Sequence, residues 1–375
     1  MRTSLVVLAG ALLPITAAAQ SGAFVVRLGA DTIAVEQYQR SGNHVEGTVL
    51  RRSPQTTLVK YTITLNDDGT VARYEQSTVR ADGTPAPNAP TPLVMTFTGD
   101  SVLRQVVQNG QPVTLRSAAP KGTLPQIGLS WLASEMLVRA AKGTGAAYAI
   151  GFAPQQAAPG KIEVRFVGSD SAEIVQAGFR TGVKLDEKGR VIRGDGSLTT
   201  QKFIATPRPS IDIAAIAAAW GAKDAGGAAM GVASPRDTLN AIAGGATIWI
   251  DYGRPAKRGR EIWGKLVPYD TTWRFGANAA TQFKTDKDVV LGGVTVPAGM
   301  YTLWLYPTAK DAWLIVNKQT GQWGTAYDAT QDLVKIPLTP HMALKEPEER
   351  FRLFVQGDQL MMHWDRGGYG VTIGH

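Results

Sequence analysis

The chain has no cysteine in its 375 residues. That excludes a disulfide scaffold, a thiol nucleophile, an iron–sulfur cluster and a cysteine-built zinc cage. Histidine is scarce as well. His44, His341, His363 and His375 are dispersed, with neither H-x-H nor H-E-x-x-H spacing, so neither a metal centre nor a cofactor is expected. The net charge of +8 never condenses into a run of five or six basic residues, and the nearest approach is Arg254 to Lys265. Such a thin excess suits anionic envelope surfaces and speaks against nucleic acid as a partner. Catalytic signatures are missing too. Gly128-Leu129-Ser130-Trp131-Leu132 lacks the second glycine of a nucleophile elbow, no phosphate loop or dinucleotide fingerprint occurs, and Gly194-Asp195-Gly196 reads as a turn.

What is present starts with an address. Arg2, the apolar run Leu5 to Leu13 and the small residues Ala17-Ala18-Ala19 have the layout of a secretory signal peptide over residues 1–19, cleaved after Ala19. The run is too short for a membrane anchor, which needs about 20 apolar residues. No later stretch is long enough either, so the mature protein is expected to be soluble and exported, in the periplasm or outside the cell. Its length allows two domains. With 41 Gly and 21 Pro the chain should turn often.

Tryptophan divides the two halves: of nine, seven lie after residue 232. Residues 221–233, rich in Gly and Ala, read as a linker between an N-terminal β-rich domain, 20–220, and a C-terminal domain, 234–375. In the first half, Lys60 to Val79 alternates about Asn66-Asp67-Asp68-Gly69, and Val183 to Thr199 about Asp186-Glu187-Lys188-Gly189, both hairpin patterns. Prolines make Asp82 to Pro92 an irregular loop. Apolar residues at spacings of three and four (Leu129, Leu132, Met136, Ala140) predict a helix over 127–141, and a second is expected from Ser210, its N-cap, to Trp220. The fold class expected is mainly β: an antiparallel curved sheet with one or two helices, followed by an antiparallel β-sandwich. Long meanders packed on a helix are similar to the curved half-barrels of periplasmic lipoprotein and lipid carriers. That likeness is one of fold alone, and the 127–141 helix reads most simply as a plug in the core of its own sheet; a further alternative is a lipid or apolar-ligand carrier with this helix as its lid.

In the second half, Ala246 to Tyr252 alternates, Val289 to Val296 turns at Gly292-Gly293, Tyr301 to Tyr306 and Trp313 to Asn317 follow, and Arg350 to Trp364 turns at Gly357-Asp358. Here the residues are specific. Ser234-Pro235-Arg236-Asp237-Thr238, Ile250 to Pro255, Arg258-Gly259-Arg260, Trp263 to Pro268, Trp273 to Asn278, Val296 to Leu303 and Asn317 to Gly324 together resemble the bacterial family called domain of unknown function 2911, from about Ser234 to Ile373. The resemblance implies an exported protein and brings no activity, cofactor or catalytic residue with it. The first half resembles no family.

The constellation with chemical content is Asp251, Tyr252, Arg254, Lys257, Arg258, Arg260 and Glu261, followed by Arg274 and Asn278. Arginine forks hold carboxylate or phosphate without a metal. Asn278 and Asn317 add amide donors, and Trp273, Trp323 and Tyr327 offer flat faces for a sugar or ring. The binding hypothesis is therefore a pocket for a small anionic or carbohydrate ligand built from Tyr252, Arg254, Arg260, Trp273, Arg274, Asn278, Asn317, Trp323 and Tyr327. The competing reading pairs these arginines with Asp251, Glu261 and Asp270 and puts the tryptophans in the core. A hydrolase acting on an envelope polymer or carbohydrate would use carboxylates such as Asp251 and Glu261 as acid and base. His363 and Asp365, two apart on a strand, could form a base and its orienter, and Asp286 and Asp288 could open a cation loop. Both pairs read more simply as solvated hairpin positions.

Overall fold

The computed structural model describes residues 20–374 apart from 88, 90, 91, 109, 154, 155, 177, 178, 198–201, 342 and 343. The segment read as a signal peptide, residues 1–19, lies outside the described residues.

Alternation builds the first half. In Thr57–Leu65 the side chains of Val59, Tyr61 and Ile63 are buried while Lys60 and Thr64 are exposed, which is the period of a sheet with one covered face. The strand turns back through Asn66 to Gly69, where Gly69 supplies a φ of 80°. Repetition of this unit gives a 15-stranded sheet. Gln20–Leu28 lies at its middle, paired with Asp31–Ser41 on one side and with Phe203–Arg208 on the other. Meanders run outward from this seam to Gln111–Ala118 at one edge and Leu124–Pro125 at the other. Every pairing is antiparallel except that of Leu124–Pro125 with Tyr148–Phe152, which is joined by helix α1 (Trp131–Thr144).

The sheet curls around α1. Val102 and Val106 near one edge share a buried cluster with Val164 and Ile174 near the other, and Trp131, Leu132, Leu137 and Val138 of α1 lie in it. The Ser117 hydroxyl donates to the Ala157 carbonyl across the gap between edges at 3.1 Å. Helix α2 (Ile213–Ala225) covers the opposite face, setting Ala217 and Trp220 on Val35 and Leu50.

Both helices start later than their periodicity suggests. Leu129 has a left-handed backbone, φ 62°, which an α-helix does not admit, and Ser130 caps α1 by accepting from the Ala133 N–H. Asp212 rather than Ser210 caps α2 by accepting from Ala215 N–H at 2.9 Å. That helix continues to Ala225 through Gly221, whose missing side chain leaves room for Ala81. The start of the 221–233 segment is thus helical. Its remainder is held against the first half: Gly231 N–H donates to Pro54 O, Ser53 Oγ donates to Gly231 O, and Met230 is buried in the first core.

The second half is an 11-stranded sheet rolled into a near-barrel. Arg236–Ala243 and Thr281–Thr285 flank Ala246–Gly253, and Gly299–Pro307, Ala312–Asn317 and Asp332–Pro340 continue the roll. Phe351, fully buried on Glu348–Gln356, meets the rings of Tyr252, Trp273, Phe275 and Trp364 at 5.4 to 6.0 Å, so the opposite walls share one core. The described residues form no helix long and apolar enough to cross a membrane.

Candidate functional site

The halves meet through the loop after Ala246–Gly253. Gly29 sits so close to the Arg258 carbonyl that a Cβ would collide with it, and with φ 61° it turns the first hairpin there. Ala30 N–H donates to the same carbonyl at 3.0 Å, and the Arg258 guanidinium binds Asp31 at 2.6 Å. Trp323 adds an edge-to-face contact with Phe179 of the first half, centroids 6.2 Å apart.

Beside this clasp lies a cavity of about 490 Å³ with walls from both halves. Arg260, Trp273, Arg274 and Asn278, all singled out from the sequence, line one wall; Arg51, Leu129 and Lys202 belong to the other. Volumes of this order hold a drug-sized ligand. Four cationic side chains, Arg51, Lys202, Arg260 and Arg274, border the cavity, and no carboxylate does among the described residues.

The hydrogen bonds that hold these side chains in place go to backbone carbonyls. Arg260 donates to the carbonyls of Lys257 (2.9 Å) and Ala256 (2.5 Å), which fix its fork without neutralising it. Arg51 donates to Gly128 O at 3.0 Å, and its buried Nε has no acceptor. The buried Nε of Arg274 also lacks one. Lys202, at φ 58°, reaches the Ser197 carbonyl. Burial pushes Arg274 down to about 10, and burial followed by repulsion from Arg258 does the same to Arg260. Burial also lowers Arg51, and it lowers Lys202 with help from Arg274 and Arg260. The three arginines remain protonated at neutral pH. The Trp364 indole N–H, on a side chain only 1% exposed that lines the same cavity, has no acceptor either. Buried donors are normally satisfied, so a concentration of orphaned donors and cations marks a place where acceptors fit.

Residues 234–373 match a family model described as Protein of unknown function (DUF2911). No curated protein matches the chain. The match ends short of the first half, so the DUF2911 segment supplies the wall with Arg260, Trp273, Arg274, Asn278 and Trp364, and the residues before it supply the facing wall.

The remaining residues singled out from the sequence lie elsewhere in the DUF2911 segment. Tyr252 is 2% exposed, and its hydroxyl bonds both the carbonyl and the N–H of Leu353 inside the barrel. Arg254 is paired with Asp237 at 2.9 Å. Asn317, fully buried, donates to Asp328 O and Asp332 Oδ1 and accepts from Gln319 N–H. Tyr327 donates to Asp332 and packs on Trp304, and Trp323 contributes to the clasp. Asp251 is held by the fork of Arg236, and Glu261 is exposed; neither borders the cavity. Asp365 binds Lys257 at 2.5 Å while His363 packs edge-on against Phe354. Asp286 and Asp288 accept from the N–H groups of Thr247 and Ala298 on neighbouring segments. Among the described residues no group of three or more His, Asp or Glu is placed to hold a metal.

Arg51, Lys202 and Trp364 escaped the sequence reading. Arg51 and Lys202 lie outside any motif and reach the cavity only because the two halves face each other. Trp364 looked like one more core tryptophan.

Proposed function

We propose that this is an exported bacterial envelope protein that binds a small anionic ligand in the cavity between its two domains. The observation that carries the reading is the cavity's charge: four cationic side chains, two of them with a buried Nε lacking an acceptor, and no bordering carboxylate among the described residues. Guanidinium groups desolvated without a counter-ion lose hydration, which a bound carboxylate or phosphate replaces with charge-assisted hydrogen bonds. An anion is favoured over a sugar because the exposed-ring candidates, Trp323 and Tyr327, are engaged by Phe179 and Trp304. Nothing in this arrangement requires catalysis.

Calorimetric titration of the purified protein with inorganic phosphate, phosphate monoesters and di- and tricarboxylates tests the reading. At least one anion should bind, salt should weaken it, and Arg274→Met should weaken it roughly tenfold or more. If no anion in the panel binds, or Arg274→Met binds as the parent does, the reading fails. Export rests on the Arg2 to Ala19 pattern. Protein recovered from a bacterial envelope fraction should begin at Gln20, and an intact Met1 would refute export.

A further inference from the structure

We propose that the anion carries a hydrocarbon chain, which lies in a second cavity under the first turns of α1. This rests on the reading of the interdomain cavity as an anion site. The second cavity, about 510 Å³, opens between α1 and the inner face of the first sheet, and Arg51 and Leu129 line both cavities. They are therefore neighbours through a shared wall, at the point where the backbone of Leu129 takes a left-handed turn that an aliphatic residue seldom adopts.

Charge is distributed between the two spaces as it is in an amphiphile. Arg51, at the junction, is the only ionic side chain bordering the second cavity among the described residues, whereas Lys202, Arg260 and Arg274 border the first. Several neutral polar groups of the second cavity already have partners within the protein. Gln176 donates to Gln126 at 2.8 Å, Gln76 accepts from Tyr74 and donates to Thr78, and Ser130 donates to Glu36. Among the fully buried neutral polar atoms of the described lining, the indole N–H of Trp131 lacks an acceptor. Ile127, Leu137, Ile174 and Phe203 supply apolar surface. An occupant that satisfies both spaces has an anionic oxygen group at the guanidinium cluster and an apolar tail beneath the helix. The head can be a phosphate monoester or a carboxylate, as in a single-chain anionic lipid.

The experiment titrates the protein with inorganic phosphate and with butyl, hexyl and octyl phosphate, each below its micelle concentration, and repeats the series with acetate and octanoate to separate the two head groups. Affinity should rise roughly fourfold per added methylene until the tail cavity is full. Ser134→Trp, which fills that cavity from the helix, should remove the gain with chain length and leave inorganic phosphate binding unchanged. Thr181→Phe, which fills it from the sheet, gives the same readout should the first variant fold poorly. If phosphate binds and octyl phosphate binds no more tightly, the chain inference is overturned and the anion site stands. A length dependence that survives both filling variants overturns it equally. If neither phosphate nor acetate nor any chain-bearing anion binds, the anion site falls and this inference with it.

Discussion

Arg274 separates a binding role from a structural one. An arginine kept for stability should have a partner, as Arg254 has Asp237 and Arg236 has Asp251. Arg274 has a buried Nε with no acceptor and a guanidinium lowered to about 10 by burial, so its charge is a burden on the fold. Replacing an unpaired, largely desolvated charge by an apolar side chain of similar length is typically neutral or stabilising. Arg274→Met should therefore melt at the parent's temperature or up to roughly 4 °C higher in scanning calorimetry, while losing anion affinity. A variant that melts clearly lower would show a structural arginine. At this scale the sequence was legible where residues lie close together. Arg260, Trp273, Arg274 and Asn278 fall within 20 positions and share a wall. Tyr252 and Asn317 share only residue type with a binding group. Nothing in their spacing shows that one hydroxyl is spent on Leu353 and one amide on Asp328 and Asp332.

Hairpins are the elements that residue order announces most clearly, because Asp and Gly at a turn act within four residues. Asn66–Gly69, Asp186–Gly189, Gly292-Gly293 and Gly357-Asp358 all turn where expected. Helix α1 was recognisable by its period but not by its start, since its N-terminus is organised from a distant strand. Glu36, fully buried on Asp31–Ser41, accepts from Ser130 Oγ (2.5 Å), Tyr61 Oη (2.9 Å) and the N–H groups of Trp131 (2.6 Å) and Leu132 (3.3 Å). A carboxyl at that end also meets the positive pole of the helix. Burial pushes Glu36 up from 4.5, and the four donors pull the other way. With a folded value above the unfolded one, the stability this titration contributes is full below pH 4.5 and is lost as pH rises through the folded value. Glu36→Gln keeps most of the bonds and does not titrate. In urea titrations the parent should exceed this variant by the most at or below pH 4.5, by about 1 to 2 kcal/mol, and the gap should narrow as the pH is raised toward neutrality. A gap independent of pH would mean that the carboxyl is unshifted.

At the scale of the whole molecule, the cavity exists because two sheets are clasped together. No composition or spacing predicts that Arg258 of the second half finds Asp31 of the first. Arg258 does not itself border the cavity, yet Arg258→Ala removes an ion pair whose guanidinium side is only 8% exposed. The variant should lose about 1 to 2 kcal/mol of stability, bind anions several-fold more weakly and be cut faster by protease around residues 226–233. Unchanged anion binding would show that the clasp is not needed to hold the walls in place. The position of Gln20–Leu28 within the first sheet has a further consequence. Its hairpin partner follows at once, but its other partner, Phe203–Arg208, is synthesised only when the first half is almost finished. Until then a row of unpaired amides and carbonyls at the centre of the future sheet stands open to whatever strand arrives first. Assembly of this half must therefore be slow and dominated by one late, long-range closure, and the newborn chain is most exposed to mispairing and aggregation before that seam is sealed.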